Sequence, residues 1–245
     1  MMSRSKWFFT FLCAGPCAAA EPNSLLGITL VQNRNGANVS VPLQIVILLT
    51  VLTLLPAIVM SMTPFLRITV VLHFLRQALG TQTTPSNQVL VGLALFLSLS
   101  VMQPVVQQVY EQSWAPLEKG QINSSDAWDR ASGPIRTFLL KFAREKDIQL
   151  FLQVSHSGAP RNASEVPMTA LIPAYTLSEL KTAFQIGAVL FLPFLIIDLV
   201  VASITLTVGM VQLPPVMVSA PFKILLFVLV DGWNLVIGSL VRSFY

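Results

Sequence analysis

Two apolar stretches near the end of the chain decide the fold. Residues 186–208 read IGAVLFLPFLIIDLVVASITLTV, and residues 222–241 read FKILLFVLVDGWNLVIGSLV. Each is as long as the roughly 20 residues that an α-helix needs to cross a bilayer. The first contains Asp198, and the second contains Lys223 and Asp231. A charge at the centre of a bilayer costs about 2.5–3.5 kcal/mol, so these charges indicate a function or a partner.

The composition is that of an integral membrane protein. Of the 245 residues, 54% are hydrophobic and 11% are charged, and the mean hydropathy is +0.71. The net charge of +4 is small, which argues against a nucleic-acid partner. His73 and His156 are far apart, and the chain has no phosphate-binding loop, catalytic triad order or metal-ligand spacing. We therefore expect no enzyme activity, no cofactor and no metal.

The N-terminus predicts a secretory signal peptide over residues 1–20. It has a basic start, a short apolar core and an A-x-A cleavage site at Ala18-Ala19-Ala20. A short uncleaved membrane anchor is the alternative. Both cysteines, Cys13 and Cys17, lie in this segment. Cleavage would therefore leave a mature chain that starts at Glu21 and has neither a disulfide nor a thiol.

Two earlier apolar stretches bring the predicted membrane helices to four. They run approximately over Leu43–Leu66, Gln88–Val109, Ile186–Val208 and Phe222–Val241. The predicted fold class is an all-α membrane protein with two helical hairpins and a small helical external domain. Along the chain, the predicted domains are the signal peptide (1–20), an external N-terminal segment (21–42), a first membrane hairpin (43–109), the external helical domain (110–185) and a second membrane hairpin (186–245).

The orientation of these helices follows from the signal peptide and the positive-inside rule. Cleavage places Glu21 outside, so the first helix runs inward and the connection 67–87 faces the cytoplasm. This connection contains Arg67 and Arg76 and no acidic residue. The stretch 110–185 then lies outside, and its equal numbers of acidic and basic residues are typical of a water-exposed domain.

Apolar residues at helical spacing predict helices in the external domain. Ser132-Gly133-Pro134 is the predicted start of a helix that contains Phe138, and a second apolar patch contains Phe151. Thr176, with Glu179 three residues later, matches a capping box and predicts the start of the helix that leads into the third membrane segment. Phe138, Phe151 and Glu179 are the candidate assembly residues of this domain.

Each aspartate of the second hairpin begins a stripe of small or polar residues. At helical spacing, the stripes are Asp198, Ala202, Thr205 and Gly209, and Asp231, Asn234 and Gly238. Such stripes let membrane helices pack closely. Each aspartate either holds a neighbouring helix in place or belongs to a proton relay, and the absence of a second acid or histidine in its helix disfavours the relay. Lys223, from the same hairpin or a neighbouring copy, is one partner that would neutralise Asp198.

Residues 209–215, GMVQLPP, connect the two helices of the second hairpin on the cytoplasmic side. Gly209 lets the chain leave the third helix, and Pro214-Pro215 stiffens its return. A short projecting loop is predicted between them. The candidate loop consists of Gly209, Met210, Val211, Gln212, Leu213, Pro214 and Pro215.

Five stretches carry a family resemblance. They are IPAYTLSELKTAFQIG (172–187), FLPFLIID (191–198), PFKILLFVLVDGW (221–233), TPFLRI (63–68) and QTTPSNQ (82–88). These stretches resemble the FliP family of flagellar export-gate proteins. The resemblance covers most of the chain from about Leu43.

The resemblance implies a subunit of the type III secretion channel at the core of the flagellar basal body. It places the chain in the bacterial inner membrane, so that the external side is the periplasm. It implies a ring of several copies, a pentamer, with FliQ-like and FliR-like membrane proteins, and unfolded flagellar subunits passing through the centre. It also implies that the hairpins pack in a helical, partly periplasmic assembly, in which case the four-span order describes insertion.

The loop departs from the family in one respect. The family commonly has a run of methionines after the glycine, proposed as a gasket around the closed pore. Here the corresponding residues are Met210-Val211-Gln212. Val211 and Leu213 are therefore expected to supply the remaining apolar surface of the seal.

Two alternatives stay open. One is the homologous component of a non-flagellar type III secretion system, although the signal peptide and long external segment favour the flagellar branch. The other is a self-contained proton-coupled small-molecule transporter, which needs its own substrate site and usually more spans. A purified homo-oligomer that captures two smaller hydrophobic proteins would support the gate, and an active single protomer would support the transporter.

Overall fold

The computed structural model describes residues 41–81, 83–155, 162, 165–209 and 214–245. The predicted signal peptide (1–20), most of the segment 21–42, His156 and the loop residues 210–213 lie outside these ranges. Within them the chain forms helices and no strand, which confirms the all-α prediction.

The helices follow one another with short connections. They are α1 (Val41–Ser61), α2 (Phe65–Ala78), α3 (Asn87–Val109), a π-helical turn (Tyr110–Trp114), α4 (Ala115–Glu118), α5 (Ser124–Phe142), α6 (Glu145–Val154), α7 (Met168–Thr207), α8 (Pro215–Leu229) and α9 (Gly232–Arg242). The chain divides into two compact units, residues 1–49 and 50–245. The described part of the first unit is the start of α1, and the second unit contains all the packing described below.

Three helices in the described residues are long and apolar enough to cross a membrane: Leu43–Ser61, Asn87–Glu118 and Met168–Thr207. A fourth span results if α8 and α9, which meet at an angle of 67°, cross together. The apolar helices are thus three or four in number, as the sequence indicates. The fourth is not straight.

The centre of the second unit is α2, a helix that the sequence places in a cytoplasmic connection. Its fully buried apolar side chains are Ile68, Val71, Leu72, Leu75 and Ala78. It packs chiefly along α7 and α3. At Gly187 of α7, an added Cβ would lie 2.5 Å from the Phe74 ring, so this close approach of the two helices requires glycine.

The first membrane helix ends at Ser61, and the prediction that it continues to Leu66 is wrong. Pro64 precedes α2 and has no backbone N–H to offer the preceding turn, so the apolar run divides into two helices there. Hydropathy alone does not detect such a division, because both helices are apolar.

The helix predicted to begin at Ser132-Gly133-Pro134 begins earlier, at Ser124. The side-chain Oδ1 of Asn123 accepts a hydrogen bond from the Ser125 N–H at 2.7 Å and caps the helix. Pro134 lies inside α5 and is buried. The cap, and not the proline, sets the boundary.

The capping box at Thr176 and Glu179 is also a wrong prediction, because α7 begins at Met168. The Thr176 hydroxyl donates to the Ile172 carbonyl at 2.9 Å, one turn earlier in the same helix. The Glu179 carboxylate binds Arg67 instead of a backbone N–H. Burial of the first turns of α7 favours helix there, and the helix runs through the predicted boundary at residues 185 and 186.

The fourth apolar segment is two helices and not one. Asp231 has a left-handed backbone with φ of 53°, which ends α8 and turns the chain into α9. At the next residue, Gly232, an added Cβ would lie 2.3 Å from the Phe227 ring. The bend therefore depends on a backbone conformation and a glycine contact that leave the hydropathy of the segment unchanged.

Candidate functional site

The candidate gate loop lies between the end of α7 and the start of α8. At its first residue, Gly209, φ is 81°, a left-handed conformation that glycine adopts without strain. An added Cβ there would meet no atom within 4 Å, so conformation and not crowding calls for glycine. Pro214 precedes α8 and Pro215 is its first residue, a favoured position for proline. The structure places both ends of the loop, while residues 210–213 lie outside its described part.

A partly buried ion pair joins α7 to α8. The Lys223 Nζ lies 2.6 Å from Asp198 Oδ2 and donates to the Ala78 carbonyl at 3.1 Å. The Ser219 hydroxyl donates to the other carboxylate oxygen, Asp198 Oδ1, at 2.5 Å. Lys223 is only 1% exposed, whereas the Asp198 side chain is 24% exposed. The sequence named this pairing as one possibility, and the structure brings the two residues together within a single chain.

This network fixes three helices at one level. Ala78 ends α2, Asp198 lies in α7, and Ser219 and Lys223 lie in α8. Asp198 precedes Gly209 by 11 residues, or about 16 Å of helix. The pair therefore holds the two helices of the hairpin together about three turns before the end of α7. We interpret this network as a structural anchor. Two of the N–H donors of the Lys223 ammonium are already used, one by the Asp198 carboxylate and one by the Ala78 carbonyl.

A second ion pair lies deeper in the unit and involves a residue that the sequence placed in the cytoplasmic connection. The guanidinium of Arg67 contacts both carboxylate oxygens of Glu179, with Nε 2.8 Å from Oε2 and a second contact between Nη2 and Oε1. Both side chains are almost completely buried. Two parallel hydrogen bonds of this kind are stronger and more directional than a single contact.

The end of the chain completes the surroundings of Arg67. Its Nη1 donates to the Ser243 hydroxyl at 3.0 Å, and its guanidinium carbon lies 4.0 Å from the centre of the Phe244 ring and 5.5 Å from that of Phe142. A cation above an aromatic face is stabilised by the ring quadrupole. The chain terminus after α9 is thereby tied to α2, α5 and α7.

This contact bears on the predicted topology. The four-span order places Arg67 on the cytoplasmic side and Glu179 on the external side, yet the two are hydrogen-bonded. Groups in contact cannot lie on opposite faces of a membrane. The geometry therefore favours the alternative in which the four-span order describes insertion and the folded hairpins pack beside one another.

The third charge named from the sequence, Asp231, is exposed and lies outside both helices of the hairpin. It precedes α9, and its Oδ2 accepts a hydrogen bond from the Asn234 side chain at 3.1 Å. The sequence placed Asp231, Asn234 and Gly238 on one continuous helix, but the bend puts Asp231 at the corner. The structure brings it close to neither Asp198 nor Lys223.

The candidate assembly residues of the external domain are partly used within the chain. Phe138 is 8% exposed, and its ring centre lies 5.1 Å from that of Phe142 and 6.0 Å from that of Tyr175. Phe151 is half-buried, and Glu179 is fully buried. Of the three, Phe151 has the most surface left for a neighbouring protein.

A model of the FliP family matches residues 48–240 of this chain. The chain belongs to the FliP family. The flagellar biosynthetic protein FliP of Cereibacter sphaeroides is 50% identical over 218 residues, which cover 89% of this chain and 72% of that protein. Flagellar biosynthetic protein FliP of Bacillus subtilis strain 168 is 46% identical over 217 residues, covering 89% and 98%, and that of Caulobacter vibrioides is 47% identical over 233 residues, covering 95% and 86%. The resemblance seen in the sequence is confirmed.

Both ion pairs are built from the stretches that resemble the FliP family. Arg67 lies in TPFLRI and Glu179 in IPAYTLSELKTAFQIG, while Asp198 lies in FLPFLIID and Lys223 in PFKILLFVLVDGW. Four segments that are separate in the FliP-like sequence thus meet as two contacts in the folded chain.

One polar cluster in this FliP family member was missed by the sequence reasoning. Asp147 of α6 accepts hydrogen bonds from Lys181 Nζ at 2.5 Å and from the Ser178 hydroxyl at 2.8 Å, and so fastens α6 to α7. Burial raises the pKa of Asp147, but the hydrogen bonds from Lys181 and Ser178 outweigh it, and the net pKa lies below its ordinary value. The available signal was an acidic residue in the first turn of a helix, which is too common to single out.

Proposed function

We propose that this chain is a subunit of the flagellar type III protein export gate in the bacterial inner membrane. The match to the FliP family over residues 48–240 is the observation that carries the proposal. The relatives cited above are all named flagellar biosynthetic proteins, which favours the flagellar branch over a non-flagellar secretion system. The role assigned is to pass unfolded flagellar subunits across the membrane, and it requires no enzyme chemistry of this chain.

The proposal includes assembly into a ring with other copies and with FliQ-like and FliR-like membrane proteins. In the single chain, large apolar side chains on α3, α7 and α8 are strongly exposed, among them Phe96 (73%), Leu199 (62%) and Leu229 (76%). This exposed apolar surface can be covered by lipid or by neighbouring subunits of the ring.

The loop between α7 and α8 is the proposed closure of the pore. The anchor formed by Asp198, Lys223 and Ser219 holds the hairpin, and Gly209 and Pro214 set the two ends of the loop. In a ring, the loops of several copies meet at the axis. Met210, Val211 and Leu213 would exclude water there, with Gln212 making the seal less apolar than a methionine run.

The proposal also assigns each predicted domain to a compartment. Residues 1–20 are the proposed signal peptide, and the segments 21–42 and 110–185 are the proposed periplasmic parts. The mixed charge of α5 and α6 supports exposure to water for the second of these segments. The two membrane hairpins, 43–109 and 186–245, are proposed as the inserted parts, with the pairing of Arg67 and Glu179 formed once the hairpins fold together.

Deletion of the gene in its own bacterium tests the proposal. We expect the mutant to stop swimming and to stop releasing flagellar subunits into the medium, and re-expression of the chain to restore both. Re-expression of a Lys146→Ala variant is the matched control, because Lys146 is exposed and lies outside the ion pairs. A deletion mutant that still exports flagellar subunits would rule the proposal out.

Ring assembly is tested separately, by purification from membranes in mild detergent. The gate predicts a homo-oligomer that carries two smaller hydrophobic proteins with it. A single protomer that transports a small molecule in liposomes would instead support the transporter alternative.

A further inference from the structure

The second hairpin, residues 186–245, contains two acidic and two basic side chains, Asp198, Asp231, Lys223 and Arg242. Asp198 and Lys223 bind each other. The remaining two, Asp231 and Arg242, are both exposed, and no ion pair to either forms within the described part of the chain. The hairpin is therefore electrically balanced, with one pair closed internally and one acid and one base left over.

The two leftover charges cannot meet within one chain. Asp231 precedes the first residue of α9 and Arg242 is the last, a separation of 11 residues and about 16 Å along the helix. The Asp231 carboxylate accepts a hydrogen bond from the Asn234 amide at 3.1 Å. This amide is neutral, so it does not compensate the negative charge. In an apolar segment, both charges require partners from outside the chain.

Arg242 ends an open face of α9, and Asp231 lies at the corner where this helix begins. Leu235, Gly238 and Arg242 are spaced by three or four residues, so they follow one line along the helix. Leu235, on this line, is 59% exposed. At Gly238, an added Cβ would meet no atom of the described chain within 4 Å. Nothing in the described part of the chain accounts for glycine in the middle of this helix, where it is less favourable than alanine, whereas a second backbone approaching this face would require it.

We propose that α9 is a contact between copies of this chain, in which Arg242 of one copy binds Asp231 of the next. The inference rests on the proposed ring. A contact that joins the end of one α9 to the start of another is head-to-tail, which is the kind that closes rings of identical subunits. The 67° bend between α8 and α9 turns α9 away from the direction of the hairpin, as a helix that reaches toward its neighbour requires.

A simpler account of the two charges makes a different prediction. An acid at the start of a helix and a base at its end both interact favourably with the helix dipole. On that account, exchanging the two residues would lose both favourable interactions with the dipole and would destabilise α9 at each end. On the account proposed here, exchanging them restores an attractive pair between copies, although the reversed interaction with the dipole keeps the rescue incomplete.

Charge exchange is the first test, made with the full chain expressed together with its export-gate neighbours in its own bacterium. Asp231→Arg and Arg242→Asp should each lower the fraction of chain recovered as a ring about tenfold, because each places like charges together. The double variant, D231R/R242D, should recover to within about threefold of the unaltered chain. Swimming should follow the same order. A double variant that is as defective as the worse single variant, or single variants without effect, would overturn the proposal.

Cross-linking is the second test and does not depend on the charges. In a chain with Cys13 and Cys17 replaced by serine, the pair Asp231→Cys and Arg242→Cys should form disulfides on oxidation and give a ladder of dimer, trimer and higher species. Either single cysteine should give no ladder. The matched control is Asp231→Cys with Ser239→Cys, because Ser239 is exposed but lies about a quarter turn away from the line of Leu235, Gly238 and Arg242.

The outcomes separate this proposal from the proposed function. A ring of normal size and normal swimming without a ladder would overturn the α9 contact and leave the export gate intact. A product that stops at the dimer would overturn the head-to-tail arrangement, since a two-fold contact gives only pairs. An unaltered chain that never forms an oligomer would overturn both.

Discussion

Two of the three ion pairs that α7 forms in the described chain, Arg67–Glu179 and Asp198–Lys223, differ in what surrounds them. Arg67 and Glu179 are both buried, come from parts of the chain 112 residues apart, and lie among Phe142, Phe244 and Ser243. Asp198 and Lys223 are 25 residues apart, and the Asp198 side chain remains 24% exposed. The first pair joins distant segments into one core, and the second closes a local hairpin beside the candidate gate.

The difference shows how one kind of interaction serves two purposes. A fully buried pair is costly to desolvate and becomes strongly destabilising when one partner is lost. In the second pair only Asp198 keeps some exposure, so loss of Lys223 is tolerated better than loss of Asp198, which leaves Lys223 buried with the Ala78 carbonyl and no carboxylate. We therefore expect the core pair to control whether the chain folds, and the hairpin pair to control how well the gate is built.

The largest effect is expected from the core pair. Glu179→Ala leaves Arg67 buried without a carboxylate, and breaking such a pair costs about 3–5 kcal/mol. We expect the chain to be degraded, with little of it found in the membrane by immunoblot. The control is Arg67→Met with Glu179→Leu, which removes both charges and should be less harmful than either single change. Normal amounts and heat resistance of the Glu179→Ala chain would show that the pair is dispensable.

A smaller effect is expected from the hairpin pair. Asp198→Ala and Lys223→Ala should each weaken the folded chain by about 1.5–3 kcal/mol, the range for hydrogen bonds to charged groups, and should reduce ring yield and export. Asp198→Ala should be the costlier of the two, because it leaves Lys223 buried without a carboxylate. The double variant should be less defective than the sum of the two, because neither charge is then left alone. Ring yield on native gels measures the coupling. Additive defects would show that the two side chains act independently.

The loop is expected to affect sealing more than stability, because it extends beyond the hairpin anchor. Deleting Met210 to Gln212 should leave the ring assembled but allow small ions to leak when no substrate is moving. Patch-clamp recording or ion flux in vesicles would measure the leak. The opposite change, Val211→Met with Gln212→Met, should preserve export and tighten the seal. Loss of assembly without a leak in any assembled fraction would make the loop a packing element.

The smallest effect is expected at Asp147, whose partner Lys181 is 46% exposed. Asp147→Asn keeps a hydrogen-bonding side chain and should cost about 0.2–1 kcal/mol at neutral pH. Because the pKa of Asp147 is lowered in the folded chain, its contribution is present above the ordinary aspartate pKa of about 3.9 and is lost as the pH falls through the folded value. Melting of the detergent-solubilised proteins should differ at pH 7 and converge only well below about pH 4. A constant difference across this range would contradict the assignment.

Much of the fold follows from the sequence alone. Apolar length and the near absence of charge predict membrane helices, because an unpaired backbone group is costly in lipid and a helix satisfies its own. The FliP-like stretches indicate the family without any coordinates. Gly209 and Pro214-Pro215 mark the ends of the candidate gate loop, because glycine frees the backbone locally and proline restricts it.

The tertiary structure decided the features that depend on contacts between distant segments. Hydropathy does not separate α1 from α2 or α8 from α9, because all four are apolar and the breaks at Pro64 and Asp231 depend on backbone conformation. The partner of Arg67 lies 112 residues away, and no local pattern specifies it. Likewise Glu179 matches a capping box by spacing, but burial beside a guanidinium offers it a stronger partner than a backbone N–H. Local rules set which segments are helices and several of their ends, and packing set which charges meet.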